Sequence, residues 1–231
     1  MKTRTTEIKW KAIALFYVIA VLIRAIVLRN EDFGSSPFSY WLWAWAEGIG
    51  PCVGALVAIL VFRRRFYCTL TGRSLMKSVI TVALPLVICF LLDRGLSLTL
   101  LNLIFYSLLE EVGWRGYLQG ELKDMNPPLR VFVIGTMWFL WHITVGLNLA
   151  SLAFYGVLLF GSWGIGNIAR DTRSLIACAC FHTLFNFIRF VQFTPVVIAL
   201  YAGVFVSLLA IWYMPWKKMT LRLKQFIYKR P

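Results

Sequence analysis

Glu110, Glu111, His142, His182 and Asn186 are of the types that move protons and hydrogen-bond to developing charge, and all fall within long apolar stretches of a 231-residue chain. His142 and His182 are its two histidines. An ionisable side chain at the centre of a bilayer costs about 3 kcal/mol even on the scales that rate it cheapest. Two carboxylates and two imidazoles kept at that cost mark a site where polar chemistry is done inside a membrane. Glutamate and histidine can take and give protons, and histidine and asparagine can donate hydrogen bonds to a charge that develops in a reaction.

The segments that carry these residues read as helix. In Glu110-Glu111-Val112-Gly113-Trp114-Arg115-Gly116, adjacent positions are about 100° apart, so the two glutamates point in different directions. Glu111 and Arg115 are i and i+4 with the acid first, the favourable order for an ion pair, which leaves Glu110 to face the bundle. Taken alone, this segment reads equally well as a solvated charge cluster at a helix end. His142, which closes Trp138-Phe139-Leu140-Trp141-His142, reads alone as a buried core histidine. His182 and Asn186 are one turn apart on a common face and can address one point between helices, where His142 and Glu110 are the polar groups available to meet them.

Together these residues form a constellation. Glu110 is the general base, His142 orients the water, His182 and Asn186 are the oxyanion donors, and Glu111 with Arg115 holds the helix behind them. The same residues allow a second chemistry, because Glu110, His142 and His182 make a two-histidine, one-carboxylate Zn ligand set with water in the fourth position. Glu111 would then have to be the base, and it points elsewhere, so a mechanism without a cofactor is preferred. Cys178 precedes His182 by four residues and shares its face; it reads as a small apolar packing residue rather than as a ligand or thiolate.

Such a site needs a scaffold that sets several helices around one point in lipid, and the composition provides it. Hydrophobic residues make up 60% and charged residues 15% of the chain, against roughly a quarter charged in a soluble domain. Apolar runs near 11–28, 40–62, 78–92, 96–111, 129–148, 150–168, 174–192 and 195–214 approach the roughly 20 residues a span requires. The expected fold is therefore all-α, a polytopic integral membrane bundle of about eight transmembrane helices. It is read as a single integral domain over residues 1–231 with its motif-bearing core at about 100–190. Asp93-Arg94-Gly95 is a turn between the third and fourth runs. Gly48, Gly50 and Pro51 are expected to bend the second helix. The odd number of cysteines, five, implies no disulfide framework.

The net charge of +14 would suit nucleic acid, but the basic residues sit at the ends of the apolar runs, where anionic lipid headgroups attract them. No soluble basic domain is present to carry nucleic acid, so that partner is excluded. With the N-terminus inside, the inner segments hold Lys2, Arg4, Lys9 and Lys11, Arg63 to Arg65, Arg73, Lys77, Arg115, Lys123, Arg130, Arg170, Arg173 and six residues between Lys217 and Arg230, while Arg29 and Arg94 alone lie outside. Both termini are then cytoplasmic. Trp41, Trp43 and Trp45 and, at the other side, Trp212, Tyr213 and Trp216 read as interfacial belts. Arg24 interrupts the first run and no small-residue cleavage site follows it, so that run reads as a retained anchor. At about 1.5 Å per residue, Glu110 and His182 fall in the cytoplasmic half.

Glu-Glu-x-x-x-Arg, aromatic-x-x-x-His and His-x-x-x-Asn, in this order and on separate spans, resemble the CPBP family of intramembrane proteases, also called the Abi or CAAX-protease family. Glu110, Glu111 and Arg115 match the first motif, His142 the second, and His182 with Asn186 the third. Trp138 stands where the second motif usually has phenylalanine, aromatic for aromatic. The resemblance spans about residues 100 to 190. It implies an eight-helix bundle with endopeptidase activity, acting on prenylated C-terminal motifs in eukaryotic members and in bacteriocin immunity, peptide maturation or surface-protein processing in bacterial ones. The family has been described both as metal-dependent and as glutamate-dependent.

A substrate for this chain is expected to be a membrane-bound, lipidated or amphipathic peptide or protein, and the location an integral, multi-pass one in a bacterial cytoplasmic membrane. Two non-enzymatic readings use the same residues: a proton-coupled transporter, which the lack of inverted repeats disfavours, and an immunity factor that only binds a partner.

Overall fold

The computed structural model describes residues 8–29, 37–143, 146–188 and 194–214. Lys2, Arg4, Trp216, the C-terminal basic residues and the last residues of the seventh run lie outside them. The chain divides into two compact units, Met1–Val191 and Gln192–Pro231. The first contains α1 (Trp10–Arg29), α2 (Pro37–Phe62), α3 (Leu75–Leu92), α4 (Arg94–Glu111), a π-helical segment (Val112–Leu118), α5 (Gln119–Glu121), α6 (Pro127–Trp141), α7 (Leu149–Thr172) and α8 (Leu175–Phe187). The second contains α9 (Pro195–Tyr213). No strand occurs among the described residues beyond a single bridge between Thr69 and Ser174.

Each of the eight apolar runs carries a helix among the described residues, but the helices differ in length. Five helical stretches are long and apolar enough to cross a membrane: Trp10–Arg29, Trp41–Phe62, Leu75–Leu92, Arg94–Glu121 and Leu149–Thr172. The fifth run was expected to reach residue 148 and instead ends at Trp141, since His142 caps it and Ile143 takes φ 62°, a conformation that stops a helix and that a β-branched residue rarely adopts. α8 has 13 residues. Large apolar side chains such as Leu60, Met76 and Leu91 are more than 70% exposed, as suits helices bathed in lipid rather than in water.

Local chemistry sets the helix ends. Asp93 closes α3 with its backbone N–H on Cys89 O and opens α4 by accepting from Leu96 N at 2.9 Å, so the predicted turn is a single shared cap. Ser74, Asn148 and Ser174 cap α3, α7 and α8 in the same way. Pro127 and Pro128 occupy the first turn of α6, where a missing N–H costs nothing. The segment 63–74 folds back along the basic helix ends: Tyr67 N donates to Gly116 O at 2.7 Å, Thr69 N to Arg173 O at 2.9 Å and Leu175 N to Thr69 O at 3.0 Å. Arg64 forks onto both oxygens of Glu121 at 3.0 and 3.1 Å.

Small residues bring the helices close, as they do where lipid offers no hydrophobic drive to association. Gly50 and Gly54 of α2 sit against the backbone of Ala20 and Phe16 in α1. α2 runs unbroken through Pro51, and Pro51 packs on Gly113, where an added Cβ would lie 2.5 Å from Pro51 Cβ and 2.6 Å from its carbonyl oxygen. Gly113→Ala is therefore expected to destabilise by about 1–3 kcal/mol, the usual scale of overpacking. Gly164, whose Cβ would meet nothing within 4 Å, is the control. Thermal unfolding in lipid discs reads both; a Gly113→Ala midpoint equal to that of Gly164→Ala would refute the contact.

Candidate active site

The π-helical segment begins one residue after the paired glutamates, in Val112-Gly113-Trp114-Arg115-Gly116-Tyr117-Leu118. Such turns inside a helix re-aim neighbouring side chains and occur often at functional sites. Glu110 and Glu111 are both fully buried and part as the 100° step requires, one meeting α6 and the other α8.

Glu110 Oε2 accepts from Trp138 Nε1 at 2.8 Å and from Trp114 Nε1 at 3.3 Å. The Tyr106 hydroxyl, one turn before it, hydrogen-bonds to the same carboxyl. Glu111 Oε1 meets His182 Nδ1 at 2.9 Å, and its Oε2 lies 3.5 Å from Arg115 Nε. Arg115 is fully buried, donates through Nη2 to Gly161 O at 3.4 Å and stacks 4.9 Å over Trp138. The expected Glu111–Arg115 pair is thus present and extends to His182. His182, for which the sequence offered His142 and Glu110 as polar groups to meet, bonds instead to Glu111, the glutamate that faces α8. Thr183, beside His182, fixes α8 on α4 by donating to Leu103 O at 3.2 Å and Ser107 Oγ at 3.1 Å.

His142 Nδ1 lies 2.8 Å from its acceptor, the Trp138 carbonyl oxygen. A carbonyl only accepts, so Nδ1 carries the proton and the lone pair of a neutral ring is on Nε2. Trp138 holds the site together: its indole N–H serves Glu110, its carbonyl serves His142, and its ring meets His182 edge-on at 5.0 Å. Asn186 Nδ2 is buried without a hydrogen-bond partner.

Glu110, His142, His182 and Asn186 line one cavity of about 290 Å³, together with Tyr106, Trp138 and apolar side chains of α7. From the basic ends of their helices, His182 is about 10 Å deep, Glu110 about 16 Å and His142 about 22 Å, at 1.5 Å per residue. Arg24 of α1 and Glu47 of α2 also line the cavity, joined by an ion pair of 2.6 Å. Sequence reasoning passed over that pair, as it did Tyr106 and Trp114. The signal for Arg24 was its charge inside an apolar run, and for Trp114 its i+4 spacing from Glu110.

Among the described residues no group of three His, Cys, Asp or Glu side chains stands in an arrangement that holds a metal ion. Glu110 Oε2 is already engaged by two indole N–H groups. Glu110, His142 and His182 line one cavity but do not form such a group as placed. The five cysteines are free thiols.

Residues 93–188 match a family model described as type II CAAX prenyl endopeptidase, Rce1-like. Neither the comparison with curated proteins nor that with solved structures gave a match. The matched stretch runs from the cap of α4 to the end of α8 and contains all six residues singled out by the motifs. That match is consistent with the CPBP/CAAX protease family, and the chain that carries it is a multi-pass, all-helical membrane protein.

Proposed function

We propose that this protein is an intramembrane endopeptidase of the glutamate type, hydrolysing a peptide bond in a membrane-bound, lipidated or amphipathic substrate. The observation that carries the reading is the single buried cavity that gathers Glu110, His142, His182 and Asn186 from three helices. Glu110 takes the proton from a water that His142 orients through Nε2. Asn186 Nδ2, a buried donor with no partner, receives the oxyanion together with His182, which offers Nε2–H as the doubly protonated ring while its Nδ1–H donates to Glu111. Glu110 then returns its proton to the leaving amine. Arg115 and Glu111 position the helix and the imidazole rather than touching the substrate.

Chelation separates this mechanism from the metal one. Treatment of the purified protein with a strong chelator should leave cleavage within about twofold of the untreated rate. Stoichiometric Zn that disappears in His142→Ala, together with loss of activity on chelation and recovery with Zn, would overturn the glutamate mechanism and keep the protease.

The surroundings follow from charge. We propose eight crossings of a bacterial cytoplasmic membrane with both termini inside, supported by the basic residues that gather at one set of helix ends. Anionic headgroups are expected at the cleft formed there by Arg63, Arg65 and Lys123, beside the Arg64–Glu121 pair. A reporter fused to the C-terminus should read cytoplasmic; an external signal would refute the even count.

A further inference from the structure

Arg24 is 7% exposed and comes from a helix outside the matched domain, yet it faces the same cavity as the hydrolytic residues. Its placement is built. Glu47 takes Nη1 at 2.6 Å, the guanidinium lies 5.1 Å over the Trp141 ring, and Trp141 Nε1 is itself fixed to Ala20 O of α1 at 3.1 Å. Arg24 Nε is buried and has no hydrogen-bond partner.

A tie between α1 and α2 does not need this pair, since Gly50 and Gly54 already bring the two backbones into contact. Burying two charges in lipid for structure alone is a poor exchange, because desolvation commonly exceeds the attraction and apolar residues pack as well. A guanidinium that lines a cavity with its Nε–H unpaired is instead suited to a planar oxyanion, the partner whose geometry its N–H groups match. Glu110 disfavours an acid beside the hydrolytic residues, so a carboxylate entering the cavity is sorted towards Arg24, where Glu47 competes for the guanidinium. At about 290 Å³, the cavity is at the lower edge of small-ligand sites and takes a short extended stretch of peptide, not a helix.

We infer that Arg24, held by Glu47 and Trp141, is a specificity-determining residue that binds a carboxylate of the peptide substrate, supplied either by the chain end or by an acidic side chain. This rests on the endopeptidase reading, but binding can be measured without cleavage. The full-length protein carrying Glu110→Gln, in lipid discs, is titrated with three N-myristoylated hexapeptides of one apolar sequence. The first ends in a free acid, the second in an amide, and the third is an amide with one internal glutamate. Tryptophan quenching reports binding.

The free acid or the glutamate peptide, according to the source, should bind about 10-fold to 100-fold more tightly than the plain amide, the range of a charge-assisted hydrogen bond in a buried site. Adding Arg24→Met should abolish the preference, and Arg24→Lys should keep part of it. Glu47→Gln removes the competing carboxylate and should widen the preference, an outcome that loss of folding in the Arg24 variants cannot imitate. Equal binding of all three peptides, including no binding of any, or a preference that survives Arg24→Met, would overturn the assignment. Failure of the protease reading would look different: no cleavage by the parent protein, with the acid preference intact.

Discussion

Glu110→Gln should reduce cleavage of a membrane peptide by at least about a hundredfold, the usual contribution of a positioned general base. The substitution keeps the shape and still offers a carbonyl oxygen to the Trp114 and Trp138 indole N–H groups, so the helix and the cavity should survive. Expression and membrane insertion should be unchanged. The comparison is made by mass spectrometry of membrane peptides from cells carrying each form. An unchanged peptide profile in a well-expressed variant would remove Glu110 from the chemistry and leave the non-enzymatic readings, an immunity factor or a proton-coupled carrier, to explain the buried site.

The second large effect concerns the charges behind the site. Glu111, Arg115 and His182 form a fully enclosed cluster in which Glu111 serves both partners. Removing one member of a buried pair leaves an uncompensated charge and typically costs about 3–5 kcal/mol. Arg115→Met should therefore destabilise the protein on that scale, and Glu111→Gln combined with Arg115→Met should cost less than the sum of the single changes, because the double variant strands no charge. Equilibrium unfolding in mixed micelles measures all three. A single-variant loss below about 1 kcal/mol, or strict additivity, would show that the cluster does not act as a unit. Activity should fall along with stability, since Glu111 fixes the imidazole that faces the cavity.

Much of this protein is written locally. The apolar runs gave helices whose bounds differ from expectation by a few residues, because burial in lipid obliges the backbone to satisfy its own hydrogen bonds. Asp93, Ser74, Asn148 and Ser174 are caps legible as residue types at run boundaries. The divergence of Glu110 from Glu111, and the Glu111–Arg115 pair, follow from a 100° step and an i+4 spacing, both properties of a single helix. That Glu110, His142, His182 and Asn186 face one cavity could be anticipated from the cost of polar groups in lipid, before any fold was known.

What the sequence could not determine is which groups meet across helices. His182 binds Glu111 and not Glu110 because of how α8 lies on α4. The indole of Trp138 reaches Glu110 while its carbonyl fixes His142, which requires α6 to cross α4 at that level. Arg24 and Glu47, 23 positions apart and on different helices, enter the site only through the close contact of Gly50 and Gly54 with α1. Spacing along one helix is set by covalent geometry and a fixed pitch, so residue types and intervals are enough to predict it. Contacts between helices depend on the shapes of all the side chains that pack together, and only the tertiary structure decides them.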